Sequence, residues 1–265
     1  MVARDIILFK ALTILLSLLP MKKKVTPYAD SKASKKKQVT SMFDAISGEY
    51  DLLNRIISLG IDVHWRKKVV RMAQQKPIDT ALDIATGTGD LAIALSQTSA
   101  QKIVGLDISP GMLALGKEKI KKKELENTIE MVIGDSEALV YETNTFDLVT
   151  VAFGVRNFEN LEKGLKEIYR VLKPEGTLLI LETSVPTAFP FKQFYQFYTG
   201  WLMPNAARLI SKDKAAYHYL AESAAHFPYG NAFNNILTKI GFIRVASAPQ
   251  TFGVATIYCG TKPKT

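Results

Sequence analysis

From about residue 80 onwards, short apolar runs alternate with amphipathic stretches. The first run, Thr-Ala-Leu-Asp-Ile at 80–84, passes through Thr86-Gly-Thr-Gly89 into Asp90-Leu-Ala-Ile-Ala-Leu, which reads as a helix start. The second run, 103–107, ends on Asp107. Ser109 and Pro110 follow, a cap residue before a proline, and fix the start of another helix. A third run covers 128–133. The fourth, 146–152, is continuously apolar, as a strand buried on both faces requires. A helix expected over 161–172 leads through a turn at 173–176 to a fifth run, 177–182. Strict alternation of strand and helix predicts a doubly wound, mostly parallel α/β sheet. The last two runs, 241–246 and 254–260, break the rule. Their link, 247–253, is too short for a crossover helix, so they must pair antiparallel and complete a seven-stranded sheet.

Two segments stand outside the alternation. Before the first strand, Met42, Phe43 and Ile46, then Tyr50, Leu53, Ile56 and Ile57, recur at steps of three and four. This predicts N-terminal helices on either side of Gly48, placed to cover the first glycine turn. After the fifth strand comes an insertion, 186–228, with seven rings in the thirteen residues from Phe189 to Trp201. Phe191, Phe194, Tyr195 and Tyr198 share one helical face, while Phe197 and Trp201 point elsewhere. Two readings stand: a buried lid helix, or the lining of a pocket for an apolar substrate.

With 265 residues and 47% hydrophobic content the chain can bury one large core, so one domain is expected. The formal charge of +9 changes this picture only at one end. Residues 1–40 carry +7 of it, and the body is nearly neutral, which argues against a nucleic-acid substrate. The clusters 22–24 and 35–37 are either a solvated tail or an arm drawn to an anionic membrane surface. The apolar run 6–19 is interrupted by Lys10 and is shorter than the roughly 20 residues a spanning helix needs. It also lacks a small-x-small cleavage site. The expectation is therefore an extension and basic arm over 1–38, with natural translation starting at Met21 and a weak anchor as the alternative, followed by a catalytic domain over 39–265. The single Cys259 allows no intrachain disulfide and sits in a strand pattern, consistent with a reducing, cytoplasmic compartment. The three histidines are not spaced as a metal pair, so no metal site is expected.

The candidate chemistry lies at the carboxyl ends of the strands. Gly87 and Gly89 let the chain turn tightly and leave the backbone bare for a ligand. Asp107 is placed to accept both hydroxyls of a ribose. Gly87-x-Gly89-x-x-Ala92 with Asp107 also meets the relaxed dinucleotide fingerprint. Two features favour S-adenosylmethionine instead. Asp83 would repel a pyrophosphate but suits an ammonium and a sulfonium, and the reversed final strand is the Rossmann-like class I methyltransferase arrangement. Asp135 and Ser136, after the third strand, face the expected adenine edge. Ala152 and Phe153-Gly-Val-Arg156-Asn157 end the fourth strand beside the cofactor.

At four places the sequence resembles the menaquinone and ubiquinone carbon methyltransferase family, nearest its demethylmenaquinone branch. These are Tyr50-Asp-Leu-Leu-Asn54-Arg-Ile-Ile-Ser58 with Trp65-Arg66, then Asp83 to Asp90, then Phe153 to Asn157, then Arg170 to Gly176 running on to Glu182-Thr-Ser184. The likeness covers nearly everything from residue 39 on. It implies S-adenosylmethionine contacts at Thr88, Asp107, Asp135 with Ser136, and the backbone near Ala152. It also implies an isoprenoid quinol substrate, demethylmenaquinol, methylated on a ring carbon; the alternative is a ubiquinone-pathway benzoquinol or another phenolic or sterol-like molecule. An enzyme of this kind is expected in the cytoplasm, peripheral on the inner face of the membrane. Arg156 is expected to favour the quinol oxyanion, with Tyr50, Asp51, Asn54, Tyr195 and His226 as neighbours. Two positions depart from the family pattern: Asp62 stands where it often has His, and Glu175 where it usually has Gly.

Overall fold

The computed structural model describes residues 25–202 and 213–264. The apolar run 6–19, the basic cluster 22–24 and the side chain of Trp201 lie outside what is described. In chain order the elements are α1 (Lys35–Ser58), α2 (Ile61–Ala73), β1 (Thr80–Ile84), α3 (Asp90–Leu95), β2 (Lys102–Asp107), α4 (Pro110–Lys122), β3 (Ile129–Ile133) and β4 (Phe146–Ala152). A 3-10 turn, Val155–Asn157, precedes α5 (Leu161–Val171) and β5 (Leu172–Thr183). Then come α6 (Phe191–Phe197), running into a π turn at Tyr198–Leu202, α7 (Lys214–His226), α8 (Asn231–Ile240), β6 (Ile243–Gln250) and β7 (Ala255–Thr261).

The seven strands form one sheet in the order β3-β2-β1-β4-β5-β7-β6. The first five run parallel, and β7 is antiparallel to both neighbours, with Leu178 opposite Gly260 on one side and Ala246 opposite Cys259 on the other. Alternate residues along each strand face opposite sides. Leu82, Val104, Val149 and Ile180 pack under Leu165, Ile168, Phe233 and Leu237 of α5 and α8. Ala81, Ile103, Leu148 and Leu179 meet Trp65, Val69, Leu91 and Leu113 of α2, α3 and α4. With both faces covered, the inner strands have to be apolar throughout. A third cluster caps the carboxyl ends: Val39, Met42 and Ile46 of α1, Met112 of α4, and Ala216 and Tyr219 of α7. Because β1 pairs with both β2 and β4, the connections leave it in opposite directions and a crevice opens at its end.

Three local expectations are corrected. The two helices expected around Gly48 are one helix of 24 residues. A helical glycine costs only about 1 kcal/mol, and nothing lies within 4 Å of where its Cβ would be. The burial of Val39, Met42 and Ile46 outweighs that cost. The turn at 173–176 is absorbed into β5, where Glu175 takes φ +62 and the pairing with β4 shifts register between Phe146 and Leu148. Finally, the aromatic helix buries none of its residues. Of the four rings expected on one face, Phe191, Tyr195 and Tyr198 are half-buried and Phe194 is exposed.

Candidate active site

The turn after β1 is held by two buried carboxylates. Asp83, inside β1 and opposite Thr150 of β4, accepts hydrogen bonds from Thr86 Oγ1 and Thr150 Oγ1, each at 2.6 Å. Burial pushes its pKa up to about 6, against the pull of those two hydroxyls. Asp107 closes the turn from the other side: Gly87 N donates to its Oδ2 at 2.8 Å and Ser109 N to its Oδ1 at 2.9 Å. Burial also raises its pKa, while the backbone N–H groups of Ser109, Gly87 and Ile108 oppose the rise. Gly87 and Gly89 take φ +58 and +80, which a side chain would resist.

A second network docks α1 on this turn. Thr88 Oγ1 donates to Asp51 at 2.6 Å and accepts from Lys119 Nζ at 2.8 Å. Lys119 also pairs with Asp51 at 2.5 Å and Asp90 at 2.7 Å. Asp51 is thus engaged with the turn. At the far end of α1, Lys35 Nζ donates to the carbonyls of Arg156 and Phe158, and Lys36 pairs with Asp135 at 2.6 Å. Two lysines of the basic arm are therefore fastened to the domain.

Between these parts lies a cleft open to solvent. Of the residues expected at a cofactor, Gly87, Asp107, Asp135, Ser136 and Ala152 line it; Asp83, Thr88 and Gly89 stand behind its wall. The position over Gly87 faces only the ring of Tyr50, 3.9 Å from where a Cβ would stand. Phe43, Met112 and Phe158 add apolar wall, and Lys36 and Glu137 add charge, none of which the motifs alone indicated.

Beyond Ala152 the 3-10 turn carries Arg156 into a buried position. Its Nη1 donates to the Phe153 carbonyl at 2.8 Å and to Glu182 Oε1, and its Nε, also buried, has no partner. Burial opposes the charge, but the Glu182 carboxylate at the end of β5, together with the Tyr50 and Tyr219 phenols, offsets it, so the guanidinium stays ionised. Three phenols lie in its field. Tyr50 is raised by burial, with the side chain of Asn54 and the charge of Arg156 opposing. Tyr195 and Tyr219 are likewise raised by burial and opposed by Arg156. Tyr219 Oη donates to Asn157 Oδ1 at 3.1 Å. The structure thus brings Arg156, Tyr50, Asn54 and Tyr195 together and sets Asp51 apart. His226 does not join them: it is exposed and its Nδ1 meets the Glu222 carbonyl at 2.8 Å. Glu182 and Tyr219 are the residues that sequence reasoning missed. Asp62 is buried on α2, accepts from Ser58 Oγ at 2.6 Å and pairs with Arg66. Burial raises its pKa, but the hydroxyl and guanidinium hold it below the usual carboxylate range. Among the described residues no cluster could hold a metal ion.

A family model described as the ubiE/COQ5 methyltransferase family matches residues 31–262. A demethylmenaquinone methyltransferase of Bacteroides fragilis is 43% identical over 240 residues, 90% of this chain and 98% of that protein. One of Porphyromonas gingivalis is 42% identical over 241 residues, with the same coverage. Among solved structures, a Thermotoga maritima SAM-dependent methyltransferase superposes with a TM-score of 0.60 at 16% identity, over 84% of this chain and 99% of that one. Haemonchus contortus phosphoethanolamine N-methyltransferase 2, in complex with S-adenosyl-L-methionine, gives 0.55 at 18% identity over 78% and 57%. These two likenesses speak to the fold.

Proposed function

The chain belongs to the ubiE/COQ5 methyltransferase family, and from that premise we propose that it methylates a ring carbon of demethylmenaquinol, with S-adenosylmethionine as methyl donor. The observation that carries this reading is the likeness to demethylmenaquinone methyltransferases along most of the chain. The cleft fits the donor on chemical grounds. Asp107 gives one lone pair of each oxygen to a backbone N–H, so each oxygen can still accept, which suits a vicinal diol. Asp135 and Ser136 flank the adenine end, Ala152 offers backbone, and Gly87 leaves room above the turn. Asp83, Thr88 and Gly89 serve the donor by fixing that turn. When bound, S-adenosylmethionine supplies a methyl group already activated on sulfur.

The protein's remaining task is to align the quinol, keep water away and favour its oxyanion. Arg156 provides a buried cation whose Nε still has a proton to donate. Tyr50, Asn54 and Tyr195 bound the space beside it. The isoprenoid tail leaves past the aromatic insertion and the turn before β7, where Phe189 and Phe194 of the first and Phe252 of the second expose 81%, 68% and 68% of their surface. Phe191 stacks on Phe252 at 3.8 Å, Trp65 Nε1 donates to Thr251 Oγ1 at 2.9 Å, and the Trp65 ring lies 6.1 Å from that of Phe153 in the cleft wall, so contacts run from this rim to the site. The same rings rest on the lipid surface, and the enzyme works as a peripheral protein on the cytoplasmic face of the membrane. No helix of the described residues is long and apolar enough to cross a membrane.

The test compares short-tailed and long-tailed demethylmenaquinols by mass spectrometry on the wild type, Tyr195→Ala and Arg156→Lys. We expect methylated product, a KM that falls with tail length at about 0.8 kcal/mol per buried methylene, and lower turnover in the lysine variant with donor affinity kept. Product only from a benzoquinol would shift the reading to the ubiquinone pathway.

A further inference from the structure

Tyr219 has no part in the motifs that identify the family, yet it lies at the centre of the acceptor side. It sits on α7, 1% exposed, in the cluster with Val39, Met42, Ile46 and Met112. Its only polar atom reaches Asn157 Oδ1 at 3.1 Å. Asn157 in turn lines the cleft and sends its Nδ2 toward the Phe153 carbonyl at 3.4 Å, the carbonyl that also receives Arg156. A primary amide is nearly the same shape after a half-turn, and only its partners decide which end is the donor. The Phe153 carbonyl can only accept, so the Nδ2 end of the amide faces it, although the contact is long. Burial raises the Tyr219 phenol far above its usual range, with Arg156 opposing and Glu182 adding, so at neutral pH it keeps its proton. It donates to the Oδ1 end at the shorter distance and holds the amide in that orientation.

We infer that Tyr219 is a positioning residue for the methyl-transfer site: it acts through Asn157, fixing the amide so that an N–H rather than a carbonyl is presented to the acceptor beside Arg156. This rests on the function proposed above and deepens it. The helix that carries Tyr219 is itself tethered. Its N-cap, Asp213, accepts from Ala216 N at 3.0 Å and from the hydroxyl of Tyr28 at 2.7 Å. Burial and the Asp213 carboxylate push the Tyr28 phenol up to about 12, so this donor also persists. The segment ahead of α1 thereby holds one end of α7, and the core cluster holds the middle.

Tyr219→Phe removes only the hydroxyl, leaving the ring and its packing, so folding is retained. Turnover of demethylmenaquinol is expected to fall about tenfold, with donor affinity by calorimetry within about twofold and the melting temperature little changed. Tyr219→Phe combined with Asn157→Ala should be no slower than Asn157→Ala alone, because both act through one amide. A second measurement is independent of activity. In a ¹H–¹⁵N spectrum of the free protein, the side-chain pair that Asn157→Ala removes identifies the amide, and Tyr219→Phe should shift and broaden that pair. An unmoved pair, wild-type turnover in Tyr219→Phe, or losses that multiply in the double variant would each overturn the inference. Absence of methyl transfer in the wild type, with the amide pair moved as expected, would instead overturn the proposed reaction and leave the Tyr219 contact standing.

Discussion

The two halves of the cleft are built differently. The donor wall proposed above is one short turn, held by Asp83 through the Thr86 hydroxyl and by Asp107 through the Gly87 N–H, both carboxylates at strand positions within a stretch of 25 residues from Asp83 to Asp107. The acceptor side gathers Tyr50 and Asn54 from α1, Arg156 from the 3-10 turn, Glu182 from β5, Tyr195 from α6 and Tyr219 from α7. On the proposed reading, this local wall holds a ligand common to many enzymes. An assembly of side chains from five elements can be altered piece by piece, which is where choice of acceptor belongs.

The largest expected effect would break the acceptor side. Arg156→Ala leaves the fully buried Glu182 without its cation, and urea unfolding should show a loss of about 3–5 kcal/mol. Glu182→Gln combined with Arg156→Met should recover part of it. If Arg156→Ala unfolds like the wild type, the pair is not holding the strand ends together.

On the donor wall, Asp83 predicts a pH signature. Its folded pKa, about 6, lies above the ordinary 3.8, so the folded state binds the proton more tightly. Its contribution is fully present below about pH 4 and is lost as pH rises through 6, a change of about 2–3 kcal/mol. The lowered carboxylates Asp62, Asp147 and Glu167 slope the other way. The useful quantity is therefore wild type minus Asp83→Asn, which should fall between pH 4 and pH 6; a flat difference would mean that Asp83 does not take up a proton there.

A smaller effect sharpens the contrast. Asp107→Ala removes two backbone clamps and the acceptor for a diol, and should weaken S-adenosylmethionine binding at least about tenfold by calorimetry. Unchanged affinity would take Asp107 out of the donor site. Smallest of all, Phe194→Ser should lower binding to anionic vesicles by about 1 kcal/mol without changing donor affinity. Equal sedimentation with vesicles would remove that ring from the lipid contact.

The same contrast explains what was legible in the sequence. The strands and the donor turn are written in contiguous residues: apolar runs, two glycines at φ above +50, and a carboxylate ending β2. Gly48 misled because a lone glycine reads as a breaker until the packing around α1 is known. Lys35 and Lys36 read as part of a charged tail because their acceptors, the Arg156 carbonyl and Asp135, lie about a hundred residues away. Tyr219 carries no pattern of its own, and Glu182, although it stands in the Glu182-Thr-Ser184 stretch, shows nothing there of the cation it faces. A tyrosine on a helix and a glutamate at a strand end acquire meaning only from the arginine that the fold places between them.

The position of β7 between β5 and β6 has a consequence for how the chain comes into being. As the protein is synthesised, β6 emerges before β7, the strand it pairs with among the described residues. Meanwhile the Leu178 to Leu181 edge of β5 waits, open and apolar, for residues about eighty positions downstream. The nascent chain thus passes through a stage with an exposed, sticky margin of the kind that recruits chaperones or pairs with a neighbour. Its yield in the cell should therefore depend on how quickly the ribosome delivers the last strand.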